Sequence, residues 1–443
     1  MATASTIRLE AGQKSKFRVE RIGEESAQLT SRLLQENHEK HHIFFNQSGF
    51  HNHIVHHLLT LFALGATPSE IQKGYDDNTS YQRPPVSLKQ EVVDDMHQPE
   101  RFKTYLGNEE YYRDFLVFFQ GQIEKLGWED VLNEYVFKGD ERADDMLVRM
   151  FSGFMHSIIH LGFGVEFGQP AIIAEALAQA AVHDNWIGTL FFEAEKAAKA
   201  NGAEPKNTKS LVQLLEDIRT DKKLSGAAHW EDANKIRDGI LKRAPDEMIK
   251  IASQYVISEE QLAEKDAELI NATVYYTASA QHPPSQIKFD FFYMHCVNSS
   301  IFFSTFFSST FLRPATKVRL LEWKARIDLA MYASRATPAL DLSHITSYKS
   351  TLNPPSSWQE VFERVNRYPD DGHVSKLVRA LAHGEQVCKK FEDREGFLIK
   401  GDMWEKLGIM VVESVEAGEP KWVRSCGFEE AWESVPEREN ARL

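Results

Sequence analysis

Four short segments carry histidines at spacings that can hold a metal ion. In HIVHHLLTLFALGA (53–66), His53, His56, His57 and Thr60 fall in one helical sector about 100° wide, and Ile, Val, Leu and Phe fill the rest. The sector has no Lys, Glu or Asp, so it is not a solvated face, and a buried polar group without a partner costs about 1–3 kcal/mol. Hydrogen bonds or a metal can supply the partners, and the spacing leaves both open. In FSGFMHSIIHLGFGVEFG (151–168), His156 and His160 stand at i and i+4 on one face. That is the chelating spacing of zinc-protease helices, without their glutamate base. Glu166 follows as an acceptor for an imidazole N–H or as a structural carboxylate.

The third segment, QIKFDFFYMHCVNSSIFFSTFF (286–307), is aromatic nearly all round. Phe291, Phe292, Asn298 and Phe302 share a face with His295, which describes either a core helix with one buried histidine or a pocket for a flat aromatic ligand. The fourth is DGHVSKLVRALAHGEQVCKK (371–390), with His373 and Lys376 at i and i+3. An ammonium beside a metal is repelled. Lys376 can serve only if burial depresses its pKa or if CO2 converts it to a carbamate, an anionic oxygen ligand. The plainer reading is a surface lysine.

The elements that must position these side chains read as helices. Helical patterns cover 24–37, 53–66, 108–126, 141–167, the Ala-rich 170–182, 257–279, 286–307, 314–336 and 372–394, with Thr67-Pro68 as a stop and restart. Only 6–20 and 419–424 look extended, so a parallel α/β sheet is not expected. The expected fold is all-α, one catalytic domain over 1–443 as a single multi-helix unit with a buried metal and aromatic pocket. Residues 1–20 form an extended arm, and KSTLNPPSSW gives a loop or lid at 348–357.

Composition narrows the function. Of 17 histidines, seven lie between His38 and His57, and eight of 28 phenylalanines lie between Phe289 and Phe311. Lys+Arg is 51 against Asp+Glu 65, a formal charge of -14. An acidic chain without a basic stripe does not suit nucleic acid or anionic lipid. Three scattered cysteines make neither a disulfide framework nor a zinc knuckle. No signal peptide and no apolar run of membrane length is present, which points to the cytosol. The glycines at 162, 164 and 168 follow a helix, so they do not form a dinucleotide loop. Walker A and GxSxG motifs are absent.

At these same four places the chain resembles the fungal questin-oxidase-like family. The carrying residues are FHNHIVHHLLTLFALGATPSEIQKGYD (50–76), MHSIIHLGFGVEFGQP (155–170), FYMHCVNSS (292–300) and DGHVSKLVRALAHGEQ (371–386). The resemblance implies oxidative opening of an anthraquinone ring to a benzophenone in polyketide metabolism, described formally as a Baeyer–Villiger oxidation and sometimes with NADPH as reductant. Such chemistry with O2 needs a flavin or a transition metal, and the sequence has no flavin fold. Imidazoles suit iron. The expectation is a non-haem Fe(II) oxygenase acting on a small aromatic polyketide and O2, with His57, His160, His295 and His373 as ligands and carbamylated Lys376 as a fifth. His53, His56 and His156, with Glu166, stand behind them as supports or alternative ligands. Rivals are an NADPH-dependent Baeyer–Villiger monooxygenase, an HD-type metallohydrolase and a non-catalytic polyketide carrier. Phe302→Ala is expected to weaken binding of a tricyclic quinone by about 0.5–1.5 kcal/mol through lost stacking. Unchanged affinity in a binding titration places Phe302 outside the pocket.

Overall fold

A computed structural model describes residues 1–350 and 357–438. Of the loop or lid expected at 348–357, residues 351–356 lie outside the described residues. The chain is all-α. Among the described residues the one sheet is a parallel pair, β1 (Phe289–Asp290) and β2 (Trp422–Val423). Fifteen described helices have ten residues or more. They are α1 (Glu24–Lys40), α2 (Ile54–Ala63), α3 (Pro68–Thr79), α4 (Tyr112–Leu126), α5 (Glu141–Met150), α6 (Ser152–Glu166), α7 (Pro170–Val182), α8 (Gly188–Ala200), α9 (Leu211–Thr220), α10 (Leu262–Ser279), α11 (Phe291–Ser308), α12 (Pro314–Ser334), α13 (Trp358–Arg367), α14 (His373–Cys388) and α15 (Met403–Glu416). No single helix among the described residues is long and apolar enough to cross a membrane.

The chain divides into two compact units. The first comprises Met1–Trp186, Ser304–Arg313 and Phe362–Arg379, and among the described residues the second comprises Ile187–Phe303, Pro314–Val361 and the chain from Ala380 onward. In the first unit the helix starts follow local chemistry. Thr67 and Glu70 form a capping box ahead of α3, with Pro68 at its first position. Asp140 caps α5 by accepting from Ala143 N at 2.9 Å. All ten residues of α2 are buried, as are Ala171–Val182 of α7. The arm at 1–20 contains no strand. Side chains of the first unit hold its backbone instead, with Ile7 N donating to Gln35 Oε1 at 2.8 Å and Arg8 N to Gln169 Oε1 at 2.9 Å.

One bend sets the direction of α6. Gly153, Phe154 and Met155 all take left-handed backbone angles, and α5 and α6 meet at 96°. For Phe154 and Met155 this conformation costs about 1–3 kcal/mol each. Regular helix resumes with His156 at its first turn. Further along, α6 and α7 approach so closely that only a glycine fits at 164. A Cβ there would lie 2.8 Å from Ile173 Cγ1 and 2.9 Å from Ile173 N.

In the second unit, Asp290 anchors the start of α11. Its Oδ1 accepts from Phe292 N and Tyr293 N, at 2.8 and 3.0 Å, and its Oδ2 from Ser425 N and Cys426 N, at 2.6 and 2.8 Å. The α11–α12 interface is built on Lys324, which is fully buried, pairs with Asp328 and donates to the Cys296 carbonyl at 3.1 Å. Gly164→Ala is expected to destabilise the protein by about 1–3 kcal/mol through overpacking. Urea unfolding that matches the wild type would show that α6 and α7 can separate at no cost.

Candidate metal centre

Three imidazoles from different parts of the first unit converge. His53, His156 and His373 each offer a ring nitrogen, and those atoms all lie within 4.8 Å of one another. His53 sits at the N-cap of α2, His156 just after the left-handed turn, and His373 at the first position of α14. All three are buried.

One carboxylate orients two of them. Asp371 Oδ2 accepts from His53 Nδ1 at 2.9 Å, and its Oδ1 accepts from His373 Nδ1. Burial opposes ionisation of Asp371, but His373 and His53 outweigh it and hold the carboxyl well below its usual range. His156 donates from Nδ1 to the Gly153 carbonyl at 2.5 Å. Both Nδ1 atoms bond oxygen acceptors, so neutral rings at His53 and His156 would turn their Nε2 lone pairs toward each other, and these atoms are 2.9 Å apart. Burial, together with the charge of Lys376, pushes the His53 pKa down to about 3, which disfavours a proton between them. Lys376 is itself buried, and desolvation lowers its pKa to about 8 against the pull of Asp371 and Asp370.

Two further layers surround the cluster. The His51 ring stacks on His156 at 3.9 Å, and His51 Nε2 meets His183 Nε2 at 2.8 Å. On the other side Glu175 accepts from His38 Nδ1 at 2.6 Å and from His160 Nε2 at 2.7 Å. Burial alone would raise the Glu175 pKa, yet these two bonds bring it down to about 2.

Residues 50–381 match the family model described as questin oxidase-like. The chain belongs to the questin oxidase-like family. The Baeyer-Villiger monooxygenase dmxR6 of Cryptosporiopsis sp. (strain 8999) is 41% identical to it over 97% of this chain and 98% of that protein. The Baeyer-Villiger oxidase mdpL of Emericella nidulans is 43% identical over 91% and 92%, and the questin oxidase of Aspergillus fumigatus 36% identical over 98% and 100%. This family member is an oxidoreductase.

The geometry of this questin oxidase-like chain sorts the residues expected from sequence. His373 lies in the cluster, together with His53 and His156, which had stood as alternatives. His57 and His160 do not join that group. His57 receives the Asn78 amide at Nδ1, 3.3 Å away, and its Nε2 lies 4.0 Å from Asp370. His160 has both ring nitrogens engaged, one by Glu175 and one by His56 Nε2 at 3.2 Å. Glu166 pairs with Arg379 and accepts from Lys16 N at 2.7 Å. His295 belongs to the second unit, where its Nδ1 donates to the Phe291 carbonyl at 2.7 Å. There the faces of Phe291 and Phe292 carry the guanidinium groups of Arg424 and Arg335, 4.8 and 3.8 Å from the ring centres. Asn298 contacts Met294 Sδ at 2.9 Å, and Phe302 is buried.

Sequence reasoning missed Asp371, Glu175, His38, His51 and His183 as parts of the site. Glu175 had a signal, because it is the one charged residue in α7. Asp371 had one too, two residues ahead of His373 in a segment already singled out. Ionised Glu175 contributes stability that is complete above pH 4.5 and lost as the pH falls through about 2. Glu175→Gln is therefore expected to lower stability near neutral pH and to flatten the decline between pH 4.5 and 2. Urea unfolding across that range checks this, and a slope equal to wild type would mean the carboxylate is already protonated in the fold.

Proposed function

We propose that this chain is an oxygenase that opens the central ring of an anthraquinone with O2, using iron held by His53, His156 and His373, to give a benzophenone-type product of polyketide metabolism. The observation that carries the reading is the 2.9 Å approach of two Nε2 atoms whose rings each bond an oxygen acceptor through Nδ1. Such a pair is repulsive unless a cation lies against both atoms, and a proton is disfavoured there. Two nitrogens bound at right angles to one metal at about 2.1 Å stand about 3 Å apart, so the spacing fits. The relatives named questin oxidase and Baeyer-Villiger monooxygenase support the choice of substrate class and reaction.

When bound, iron(II) with open positions supplies the one-electron chemistry that lets triplet O2 react. The protein's own residues do the rest. Asp371 fixes the tautomers of His53 and His373, and the Gly153 carbonyl fixes that of His156, so all three Nε2 atoms are kept as donors to a metal. Lys376, with its pKa lowered to about 8 by burial, has a neutral amine within reach of physiological pH. That amine takes up CO2: a C–N bond forms, one C–O π pair moves onto oxygen, and one proton leaves to water. The resulting carbamate is an anionic oxygen one helical turn from His373.

A second reading, an NADPH-dependent Baeyer–Villiger monooxygenase on the same substrate, has the relatives' names in its favour. His53→Ala, His156→Ala and His373→Ala are each expected to weaken iron binding and lower turnover by at least ~10–100-fold. Lys376→Arg should fail likewise, because guanidinium keeps its charge and cannot take up CO2. Metal analysis and O2 uptake with an anthraquinone check both statements. Full iron in all three histidine variants sinks the assignment. Turnover that needs NADPH but no metal moves the protein to the second reading.

A further inference from the structure

Behind the three-histidine cluster runs a series of side chains, from half-buried Gln120 to the buried His38, Glu175, His160 and His56. Glu175 is its centre, bonded to His38 Nδ1 by Oε1 and to His160 Nε2 by Oε2. Glu175 is 3% exposed, His160 1% and His56 0%. An ionised carboxylate has no proton to give, so both imidazoles donate to it. With His160 as a neutral imidazole its lone pair stays on Nδ1, the atom that faces His56 Nε2. His56 must carry its proton on Nε2, and its Nδ1 is left as a lone pair. That Nδ1 is buried and takes no hydrogen bond among the described residues. At the other end His38 Nε2 is left as an acceptor, and Gln120 Nε2 donates to it at 3.0 Å. Each bond is determined by the one before it, and all of them start at a single carboxylate.

We propose that Glu175 is a positioning residue of the site: through His160 it holds His56 in the Nε2–H tautomer, so that the wall beside His53 presents a buried acceptor, His56 Nδ1, and not a donor. The His56 and His53 ring centres are 5.6 Å apart and their planes are inclined at 29°. A ligand lying against this wall is therefore matched if it brings an O–H to His56 and mismatched if it brings a bare carbonyl. The functional consequence rests on the metal-site reading above. The tautomer does not, because the series runs between protein atoms throughout.

The test uses full-length protein with labelled histidine, in the wild type and in Glu175→Leu and Glu175→Gln. In the wild type the imidazole 15N correlations of His56 and His160, assigned by single replacements, should report Nε2–H for both. Glu175→Leu removes the acceptor and should turn both rings into tautomer mixtures. It should also lower turnover ~10–100-fold, with iron content unchanged. Glu175→Gln keeps an oxygen for His160, since the half-buried Gln120 amide can turn to accept from His38. It should restore the Nε2–H signature and part of the lost turnover. Wild-type tautomers or wild-type turnover in Glu175→Leu overturn the proposal. Loss of iron together with turnover overturns it as well, since Glu175 would then act on the metal cluster. His56 protonated at Nδ1 in the wild type overturns it whether or not the Leu variant folds. A wild type that shows the expected tautomers but binds no iron sinks the metal reading and leaves the Glu175 assignment standing.

Discussion

The whole site depends on Asp371 having two oxygens and using one for each of two imidazoles. A carboxylate with a single partner would fix one ring and leave the other to rotate. With both engaged, His53 and His373 are joined by a bridge of protein atoms through their Nδ1 nitrogens. The half-buried negative charge has company. Lys376 lies close enough for the Asp371 carboxylate to draw its pKa upward against desolvation. Neighbouring Asp370 is pushed the other way and held nearer its protonated form, chiefly by desolvation. One carboxylate, one lysine and three imidazoles form a set in which no member can be removed without leaving another uncompensated.

The first unit holds its cluster by rigid means. Three consecutive left-handed residues are an expensive way to turn a chain, and they stand immediately before His156. The turn also brings the Gly153 carbonyl to His156 Nδ1. Strain and hydrogen bond thus act on the same ring. A side chain at 153 has no room, because its Cβ would sit 2.6 Å from His183 Cε1 and 2.9 Å from His51 Cε1. The stacked histidines are packed onto the turn as well as onto one another.

Much of this could be read from the sequence. The Thr67-Pro68-x-Glu70 box and the Ala-rich run at 170–182 each gave a helix in the expected place, because local chemistry decides them, and the aromatic run gave one that starts at Phe291 and not at 286. The four histidine segments were also visible. The choice within each segment was not. The 100° rule groups His53 with His57, but His53 sits at the cap with backbone angles outside the helix, and its ring leaves in another direction. His156 and His160 share a face, yet Glu175 claims the second, and nothing in the local spacing of α6 announces a partner on α7. The stretch at 6–20, expected to be extended, is non-helical and is broken by a turn in which Gln13 N donates to Glu10 O at 3.0 Å. It became an arm held by side chains and not a strand, since strand pairing needs a partner that periodicity cannot supply.

His53 and Asp371 are separated by 318 positions in the chain. At about 5–20 residues per second, roughly 16 to 64 s of synthesis pass between the appearance of the histidine and that of the carboxylate that orients it. Throughout that time α2 exists with its histidine sector but without the group that fixes the tautomer of His53. The segments that complete the first unit, Ser304–Arg313 and Phe362–Arg379, arrive late for the same reason. The chain thus carries its own timing: the helices of the N-terminal half can collapse early, while the site closes only when most of the protein has left the ribosome.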